Sequence, residues 1–440
     1  MASPPISPVT RPSLPVPTGM RDWLPRQARR RAVVSDRIMA SLELFGYQRV
    51  EVPPFEYADV LEKGFANVEA AVRFVEPETG KIAALRSDVT PQIARLVASR
   101  FPTGPWPARL SYQASVMRRR HERARLDQKV RQVGFELVGL PEPGADLEVL
   151  EAATSALRAA GLSEFTVDLA HAEVAGALLD QLGPVPRADA LECLALKDSA
   201  ELRQVGVRAG LGGRALDALV ALPSLHGDSE LWPRAERALA GTPAEAPLRS
   251  LKSIWSRAVA ARLAPRFVVD LGETREFYYY TGVMFHLLAE GPGEPLGSGG
   301  RYDSLFERFG LPCPAAGFAF DLSNVCWALD AARVGDAPLD RVLVCADSAD
   351  VGRELARELR ARSVACALGP TPQQAALEPA GAADHEAYAI RWDYTHLLVL
   401  SSARGELKRL GSGSALPLDA KNVADIAHVV AAHLRVLEES

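Results

Sequence analysis

The chain has 440 residues, of which 48% are hydrophobic and 24% charged, and its formal net charge is −5 at pH 7. This length and composition predict a globular protein of two or three domains, and the slightly negative charge excludes a global field that would attract nucleic acid. The five cysteines form no CxxC pair and the eight histidines show no zinc-ligand spacing. We therefore expect no disulfide framework, no metal and no cofactor.

Residues 1–17 are rich in proline and lack the continuous apolar core of a secretory signal peptide. We expect them to form a disordered lead-in with polyproline character. No apolar run in the sequence approaches the roughly 20 residues that span a bilayer. Together these features predict a cytoplasmic protein without membrane contact.

Helix and strand signals follow one another after this lead-in. Apolar residues recur at helical spacing over 27–44, and a short strand broken by prolines follows at 48–56. A second strand is predicted at 82–89. The helix after it should begin with Thr90 as its N-cap and Pro91 in its first helical position.

Residues 108–118 and 130–139 alternate apolar and polar side chains, as the two strands of an antiparallel hairpin do. Gln132 and Glu136 are four residues apart on the returning strand, so they point to the same face. An amide and a carboxylate on one face are suited to binding an ammonium group, although a polar face in contact with solvent is the simpler interpretation.

The stretch 117–136 contains seven Arg or Lys residues against three acidic ones, most of them in the loop of this hairpin. A solvated loop is one interpretation, because charge runs usually lie at the surface. A phosphate grip is another, since Arg118 ends a strand and a fixed guanidinium binds phosphate well. A sequence-specific nucleic-acid reader is disfavoured because no aromatic residues are interleaved for base stacking.

The next segment, about 165–262, is rich in Ala and Leu and predicts a helical insertion. Strand signals return at 266–272, at 277–290 and at 317–322. Glycines in 297–303 predict a tight turn where the backbone approaches a neighbour closely. This turn matches neither a P-loop nor a dinucleotide-binding fingerprint.

Three consecutive tyrosines begin the strand predicted at 277–290. On a regular strand Tyr278 and Tyr280 share one face, and Tyr279 takes the other. They form either part of an aromatic core or the wall of a pocket that orients a polar aromatic ligand.

From residue 340 strands and helices alternate, which predicts a separate α/β domain at 340–440. We place the boundary at 335–340.

Six stretches, in order and spacing, resemble the catalytic core of histidyl-tRNA synthetase: TGMRDWLP, LRSDVTPQIAR, the Arg-rich hairpin with QVGFELVG, YYYTGVMF, SGGRYD and GFAFDL. The resemblance covers 18–335 and implies an α+β class II synthetase fold, with a six-stranded antiparallel sheet, flanking helices and a tendency to dimerise. The segment 340–440 resembles, more faintly, a degenerate form of the family's anticodon-binding domain.

The resemblance also implies a histidine-binding pocket. Acidic side chains suit the α-ammonium group of histidine, Gln and Tyr suit its imidazole, and Arg suits its carboxylate. The positions that match the family's histidine-binding residues are Asp88, Thr90, Gln132, Glu136, Arg275, Tyr279 and Tyr280.

The ATP half of the family's site is only partly matched. Arg118 stands at the position of the arginine that contacts the α-phosphate, but Arg120 replaces a glutamate that contacts adenine. The final family motif, Gly-Leu-Glu-Arg, reads here as Asp321 to Asn324, so the arginine that pins the γ-phosphate is replaced by asparagine. Because losing a preorganised cation at a reacting phosphate costs orders of magnitude in rate, we expect no adenylation and assign no catalytic residue.

A synthetase core of this kind resembles the regulatory subunit of ATP phosphoribosyltransferase, the enzyme of the first step of histidine biosynthesis. The wording LRSDVT also resembles this paralogue, because true synthetases carry Pro-Glu-Gly-Thr there. The resemblance implies a hetero-octamer with the short-form catalytic subunit, with histidine as feedback effector and no tRNA binding expected. Two alternatives stay open: a divergent histidyl-tRNA synthetase, and another paralogue that binds RNA or a kinase-like partner.

Overall fold

The computed structural model describes residues 15–64, 71–117, 128–274, 280–335, 340–369, 385–401, 405–418 and 422–438. The chain divides into two compact units after Gly335. Within the described residues no helix is both long and apolar enough to cross a membrane.

The first unit is built on a nine-stranded sheet, and a separate three-stranded sheet lies within the same unit. Its strands are β1 (Gln48–Arg49), β2 (Phe55–Tyr57), β3 (Arg73–Val75), β4 (Ile82–Leu85), β5 (Ala108–Met117), β6 (Lys129–Val138), β7 (Thr166–His171), β8 (His226–Gly227), β9 (Arg266–Asp270), β10 (Val283–Leu288), β11 (Gly297–Arg301) and β12 (Ala315–Asp321).

The helices of the first unit lie between these strands. They are α1 (Pro25–Leu44), α2 (Ala58–Glu62), α3 (Thr90–Arg100), α4 (Gly144–Ala159), α5 (Ala172–Leu179), α6 (Pro184–Ala195), α7 (Ser199–Arg208), α8 (Gly213–Ala221), α9 (Leu231–Leu239), α10 (Glu245–Ala260), α11 (Asp303–Glu307) and α12 (Leu322–Ala331), together with a 3-10 turn at Leu222–Ser224.

The centre of the large sheet is the six-stranded antiparallel array β5-β6-β12-β11-β10-β7. Strand β1 adds parallel to β5, β9 adds parallel to β7, and β8 closes that edge. The α+β fold predicted from the sequence is thus confirmed, and the antiparallel sheet is extended by three strands.

The two faces of the large sheet separate an apolar core from a partly polar pocket. On β6, Val133, Phe135 and Leu137 belong to the larger hydrophobic core, which also includes residues of α1, α4, α10 and α12. Gln132 and Glu136 alternate with them and therefore point to the opposite face, toward α3 and α11. The pocket described below lies on this second face.

The predicted hairpin of β5 and β6 is confirmed. The two strands pair in antiparallel register from Ala108 opposite Val138 to Met117 opposite Lys129. The loop between them, including Arg118 and Arg120, lies outside the described residues, so the three interpretations of its charge stay open.

Two predicted strands have different limits in the structure. The strand predicted at 48–56 divides at its prolines into β1 and β2, which belong to different sheets. The strand predicted from 277 begins only at Val283. Tyr280 precedes it, and Tyr278 and Tyr279 lie outside the described residues.

The tight turn predicted at 297–303 is wrong, because Gly297–Arg301 is the extended strand β11. Its glycines are needed for close packing and do not form a turn. A Cβ atom at Gly297 would lie 2.6 Å from Cε1 of Phe318, and one at Gly299 would meet the same ring. The close approach inferred from these glycines is therefore the packing of β11 against a phenylalanine of β12.

The prediction that Thr90 caps α3 is also wrong. Thr90 is the first residue of the helix, and the carboxylate of Asp88 accepts a hydrogen bond from the backbone N–H of Val89 at 2.7 Å. Val89 occupies the N-cap position of α3, and among the described residues no side chain makes a cap hydrogen bond there. The hydroxyl of Thr90 instead donates to the carboxylate of Glu136 at 2.9 Å.

The segment assigned to a helical insertion contains a strand of the main sheet. Residues Thr166–His171 form β7, which pairs with β10. Val167 and Leu169 face the larger core while Asp168 and Ala170 face the other side. The high Ala and Leu content of the neighbouring residues made this alternation difficult to recognise in the sequence. The rest of the segment contains α5 to α10 and is mainly helical, as expected.

The second unit is an α/β arrangement. Its elements are β13 (Arg341–Ala346), α13 (Ala349–Ala361), β14 (Ala365–Leu368), α14 (His385–Arg391), β15 (His396–Leu400), β16 (Gly405–Arg409), β17 (Ala415–Leu418) and α15 (Val423–Glu438). The strand order in its sheet is β14-β13-β15-β16-β17, and helices α13 and α15 contribute to the apolar core on one face of this sheet. The terminal pair β16 and β17 was not predicted, because these strands have only five and four residues and Pro417 lies within the second.

A buried arginine ties several segments of the first unit together. Arg301 is 1% exposed and donates through two nitrogens to Asp146 of α4 at 3.0 and 3.1 Å. It also donates to Asp303 at 3.1 Å. The backbone carbonyl of Arg301 accepts from the N–H of Thr281 at 2.8 Å, which fixes the segment before β10.

Asp146→Ala should lower the free energy of unfolding by about 3–5 kcal/mol, because it removes one partner of a buried charge. The matched control is Asp217→Ala, which removes an exposed partner of Arg203 and should cost less than about 1 kcal/mol. Urea denaturation measures both variants, and equal losses would contradict the role given to Arg301.

Candidate functional site

The pocket is centred on Glu136, a carboxylate in the middle of β6. Its side chain is 1% exposed, and its backbone lies between Leu110 of β5 and Gly317 of β12. A carboxylate at this depth requires hydrogen-bond partners, because an unpaired buried charge is strongly unfavourable.

Three hydroxyl groups from different segments donate to Glu136. Thr90 of α3 donates to Oε1 at 2.9 Å, and Tyr112 of β5 donates to the same oxygen at 3.2 Å. Tyr302, at the start of α11, donates to Oε2. The carboxylate therefore joins a helix terminus, a neighbouring strand and the segment after β11.

Two glycines provide the space for this arrangement. A Cβ atom at Gly317 would overlap the carboxylate of Glu136 and the hydroxyl of Tyr302. A Cβ atom at Gly134 would overlap the phenol of Tyr112. Small residues at these two positions are thus a steric condition for the hydroxyl groups to reach Glu136.

A second carboxylate, that of Asp88, lies nearby at the start of α3 and is 9% exposed. Burial raises the pKa of Glu136 well above its ordinary value, and the negative charge of Asp88 raises it further. Hydrogen bonds from Thr90 and Tyr112 oppose this increase in the pKa. A cation bound between the two carboxylates would relieve their repulsion, which makes the pocket suitable for an ammonium group or an imidazolium.

The other described residues of the predicted histidine site lie on the same side of the sheet. Gln132 is 3% exposed and sits opposite Asp321 of β12. Tyr280 is 8% exposed, and its ring centroid is 6.4 Å from that of Tyr302. Arg275 and Tyr279 lie outside the described residues.

Sequence reasoning missed Tyr112 and Tyr302 as residues of the pocket. The register of the hairpin could have indicated Tyr112, because it places this residue opposite Gly134. A large side chain opposite a glycine often packs over the space that the glycine leaves. Tyr302 follows the glycine-rich strand β11, and its contact with Glu136 depends on how two distant segments pack. No local pattern encodes that contact.

At the end of the pocket where the family has its final motif, the side chains are engaged within the fold. Asp321 caps α12, and its Oδ1 accepts from the N–H groups of Ser323 and Asn324 at 2.9 and 3.4 Å. Asn324 is 3% exposed and donates through Nδ2 to the carbonyl of Pro295 at 2.7 Å. The amide at position 324 thus supports the loop before β11.

The charge of Asp321 has nearby compensation. The N-terminus of α12 carries a partial positive charge, and the guanidinium of Arg31 interacts electrostatically with Asp321 and donates to Ser323 at 2.9 Å. An anion beside Asp321 would consequently meet less repulsion than the unpaired carboxylate would exert, while Asn324 supplies no positive charge there. Across the described ranges, no three His, Cys, Asp or Glu residues are placed to hold a metal ion.

Comparison with known proteins places this chain in a family. The histidyl-tRNA synthetase family model matches residues 19–325. A relative from Syntrophotalea carbinolica is 33% identical over 416 residues, covering 92% of this chain and 95% of the relative, and bears the name ATP phosphoribosyltransferase regulatory subunit. A relative of the same name from an Anaeromyxobacter species is 40% identical over 329 residues, covering 73% of this chain and 94% of the relative.

A solved structure described as an ATP phosphoribosyltransferase regulatory subunit/histidyl-tRNA synthetase, from Bacillus halodurans, matches with a TM-score of 0.75 at 27% identity. The match covers 90% of this chain and 100% of that one. The chain therefore belongs to the histidyl-tRNA synthetase family, and within it to the ATP phosphoribosyltransferase regulatory subunits.

The raised pKa of Glu136 predicts a pH-dependent difference in stability between the wild type and Glu136→Gln. The pKa of Glu136 is raised by folding, so above about pH 4.5 the unfolded chain loses this proton before the folded chain does. The free energy of unfolding of the wild type should therefore decrease relative to that of Glu136→Gln as the pH rises above about 4.5. Urea denaturation over a series of pH values tests this, and a constant difference would contradict the raised pKa.

Proposed function

We propose that this chain is a non-catalytic regulatory subunit that activates a short-form ATP phosphoribosyltransferase catalytic subunit and conveys feedback inhibition by histidine. One contrast carries the proposal. The amino-acid half of the site keeps a buried carboxylate with three hydroxyl donors, whereas the nucleotide half has an asparagine where the family has an arginine.

The chemistry of the amino-acid half supports histidine as the effector. Asp88 and Glu136 offer negative charge to an ammonium group, and Gln132 offers an amide on the same face of the sheet. Arg275, Tyr279 and Tyr280 complete the proposed site by the family resemblance. The imidazole and ammonium groups of histidine suit these acceptors, and its carboxylate suits an arginine.

The absence of catalysis is supported by residue 324. The asparagine is buried, carries no charge and donates to a backbone carbonyl, so it cannot stabilise a reacting phosphate in that position. Arg120 supports the same conclusion. Adenine's amino group donates a hydrogen bond and needs an acceptor, whereas an arginine can only donate. Nothing observed favours a divergent histidyl-tRNA synthetase over the regulatory role.

The proposed partner follows from the names of the relatives, which are regulatory subunits of ATP phosphoribosyltransferase. We propose a hetero-octamer with the short-form catalytic subunit, built on dimers of this chain and without tRNA. In such an assembly, histidine occupancy of this pocket would have to favour one of two states of the complex, because coupling requires a difference in affinity between states.

Glu136→Ala should abolish histidine feedback on the reconstituted complex, because the charge that holds the effector is removed. We expect the histidine concentration for half inhibition to rise by roughly a hundredfold or more. The control Glu148→Ala removes a carboxylate that accepts from Tyr47 and Arg109, outside the pocket. It should leave the inhibition curve near that of the wild type.

An unchanged curve for Glu136→Ala would show that histidine acts elsewhere. Histidine-dependent ATP–pyrophosphate exchange by the purified chain is measured alongside and should stay at background. Robust exchange would contradict the absence of catalysis.

A further inference from the structure

Tyr112 and Tyr302 are buried tyrosines whose hydroxyls end on the same carboxylate. They are 1% and 2% exposed, and they approach Glu136 from β5 and from the start of α11. A buried phenol needs a hydrogen-bond partner, but a core position could be filled more simply by phenylalanine. The two hydroxyls therefore call for an explanation beyond packing.

The donors are distributed unequally over the two oxygens of Glu136. Thr90 and Tyr112 both donate to Oε1, while Tyr302 donates to Oε2. A carboxylate has about four acceptor positions, two on each oxygen. Counting donors from the described residues alone, Oε1 is filled and Oε2 retains one position.

Both tyrosines are held firmly in place. Tyr302 is anchored by its backbone N–H, which donates to the carbonyl of Ala315 at 2.8 Å, and by its neighbour Arg301 in the buried ion-pair network. Tyr112 fits the hollow left by Gly134 in the opposite strand. The position of the carboxylate is therefore set by the sheet and not by the ligand.

We propose that Tyr112 and Tyr302 are positioning residues that present Oε2 of Glu136 to the effector as a single directed acceptor. The inference rests on the proposed function, since it specifies how the same pocket recognises histidine. Neither tyrosine is required to touch histidine. They act by keeping Glu136 ionised and correctly oriented for one N–H donor of the ligand.

The groups around Glu136 determine in which direction the loss of a tyrosine hydroxyl shifts the pKa of this carboxyl. Among the described residues, the titratable groups on its own side of the sheet are Asp88 before α3, Tyr112 on β5 and Tyr302 before α11, with Tyr280 packed against Tyr302. Tyr47 interacts electrostatically with Glu136 from the larger core on the other side. A hydroxyl that donates to a carboxylate favours its ionised form. Removing either hydroxyl should raise the pKa of Glu136 and move the pH at which histidine begins to bind upward.

The test is titration calorimetry of L-histidine into the purified full-length chain across about pH 6 to 9. Tyr112→Phe and Tyr302→Phe should each bind histidine about tenfold more weakly at neutral pH, and the pH profile of affinity should shift upward by about one unit. In Glu136→Gln the affinity for histidine should no longer vary with pH in this way. Adding Tyr302→Phe to Glu136→Gln should change that affinity little.

The control is Tyr47→Phe, which removes another buried tyrosine hydroxyl that donates to a carboxylate, that of Glu148, at 3.2 Å. It should leave the affinity and its pH profile unchanged. Thermal unfolding checks that each variant folds, and Tyr112→Phe carries the test alone if Tyr302→Phe does not fold.

The possible failures are distinguishable. No histidine binding by the wild type would overturn the proposed function and this inference together. Binding that is lost in Glu136→Ala but identical to the wild type in both phenylalanine variants at every pH would overturn this inference alone.

Discussion

The burial of one carboxylate constrains the whole pocket. Glu136 lies in the middle of a central strand, where an ionised group is tolerated only if hydroxyl donors surround it. Meeting that requirement fixes Thr90 at the start of α3, and it requires glycine at position 317. The pocket is thus built into the packing of the first unit, and the buried ion pair of Arg301 holds the segment that carries Tyr302.

The polar side chains in the two halves of the site have different hydrogen-bonding roles. In the amino-acid half, polar side chains converge on a carboxylate with a raised pKa, an arrangement that gains from binding a cation. In the other half, Asp321 and Asn324 serve as a helix cap and as a support for a loop. Under the proposed function this contrast would suit the sensing of a metabolite, and the relatives share the name ATP phosphoribosyltransferase regulatory subunit.

Much of the fold was predictable from local patterns, whereas the choice of site residues depended on the family resemblance. The β5–β6 hairpin followed from strand alternation, and Glu136 and Thr90 followed from motif resemblance. The remaining features depend on contacts between distant segments. Strand β11 resembled a turn because its glycines serve the packing of Phe318, β7 was hidden in an Ala- and Leu-rich segment, and the contact of Tyr302 with Glu136 joins residues 166 positions apart.

Under the proposed function, histidine binds between α3 and the large sheet, against Glu136. The most direct measurement is a crystal structure of the full chain soaked with L-histidine. We expect electron density for one histidine per chain, with a nitrogen within about 3 Å of Oε2 of Glu136. Density for histidine only at another place, such as a contact between subunits, with this pocket unchanged, would contradict it.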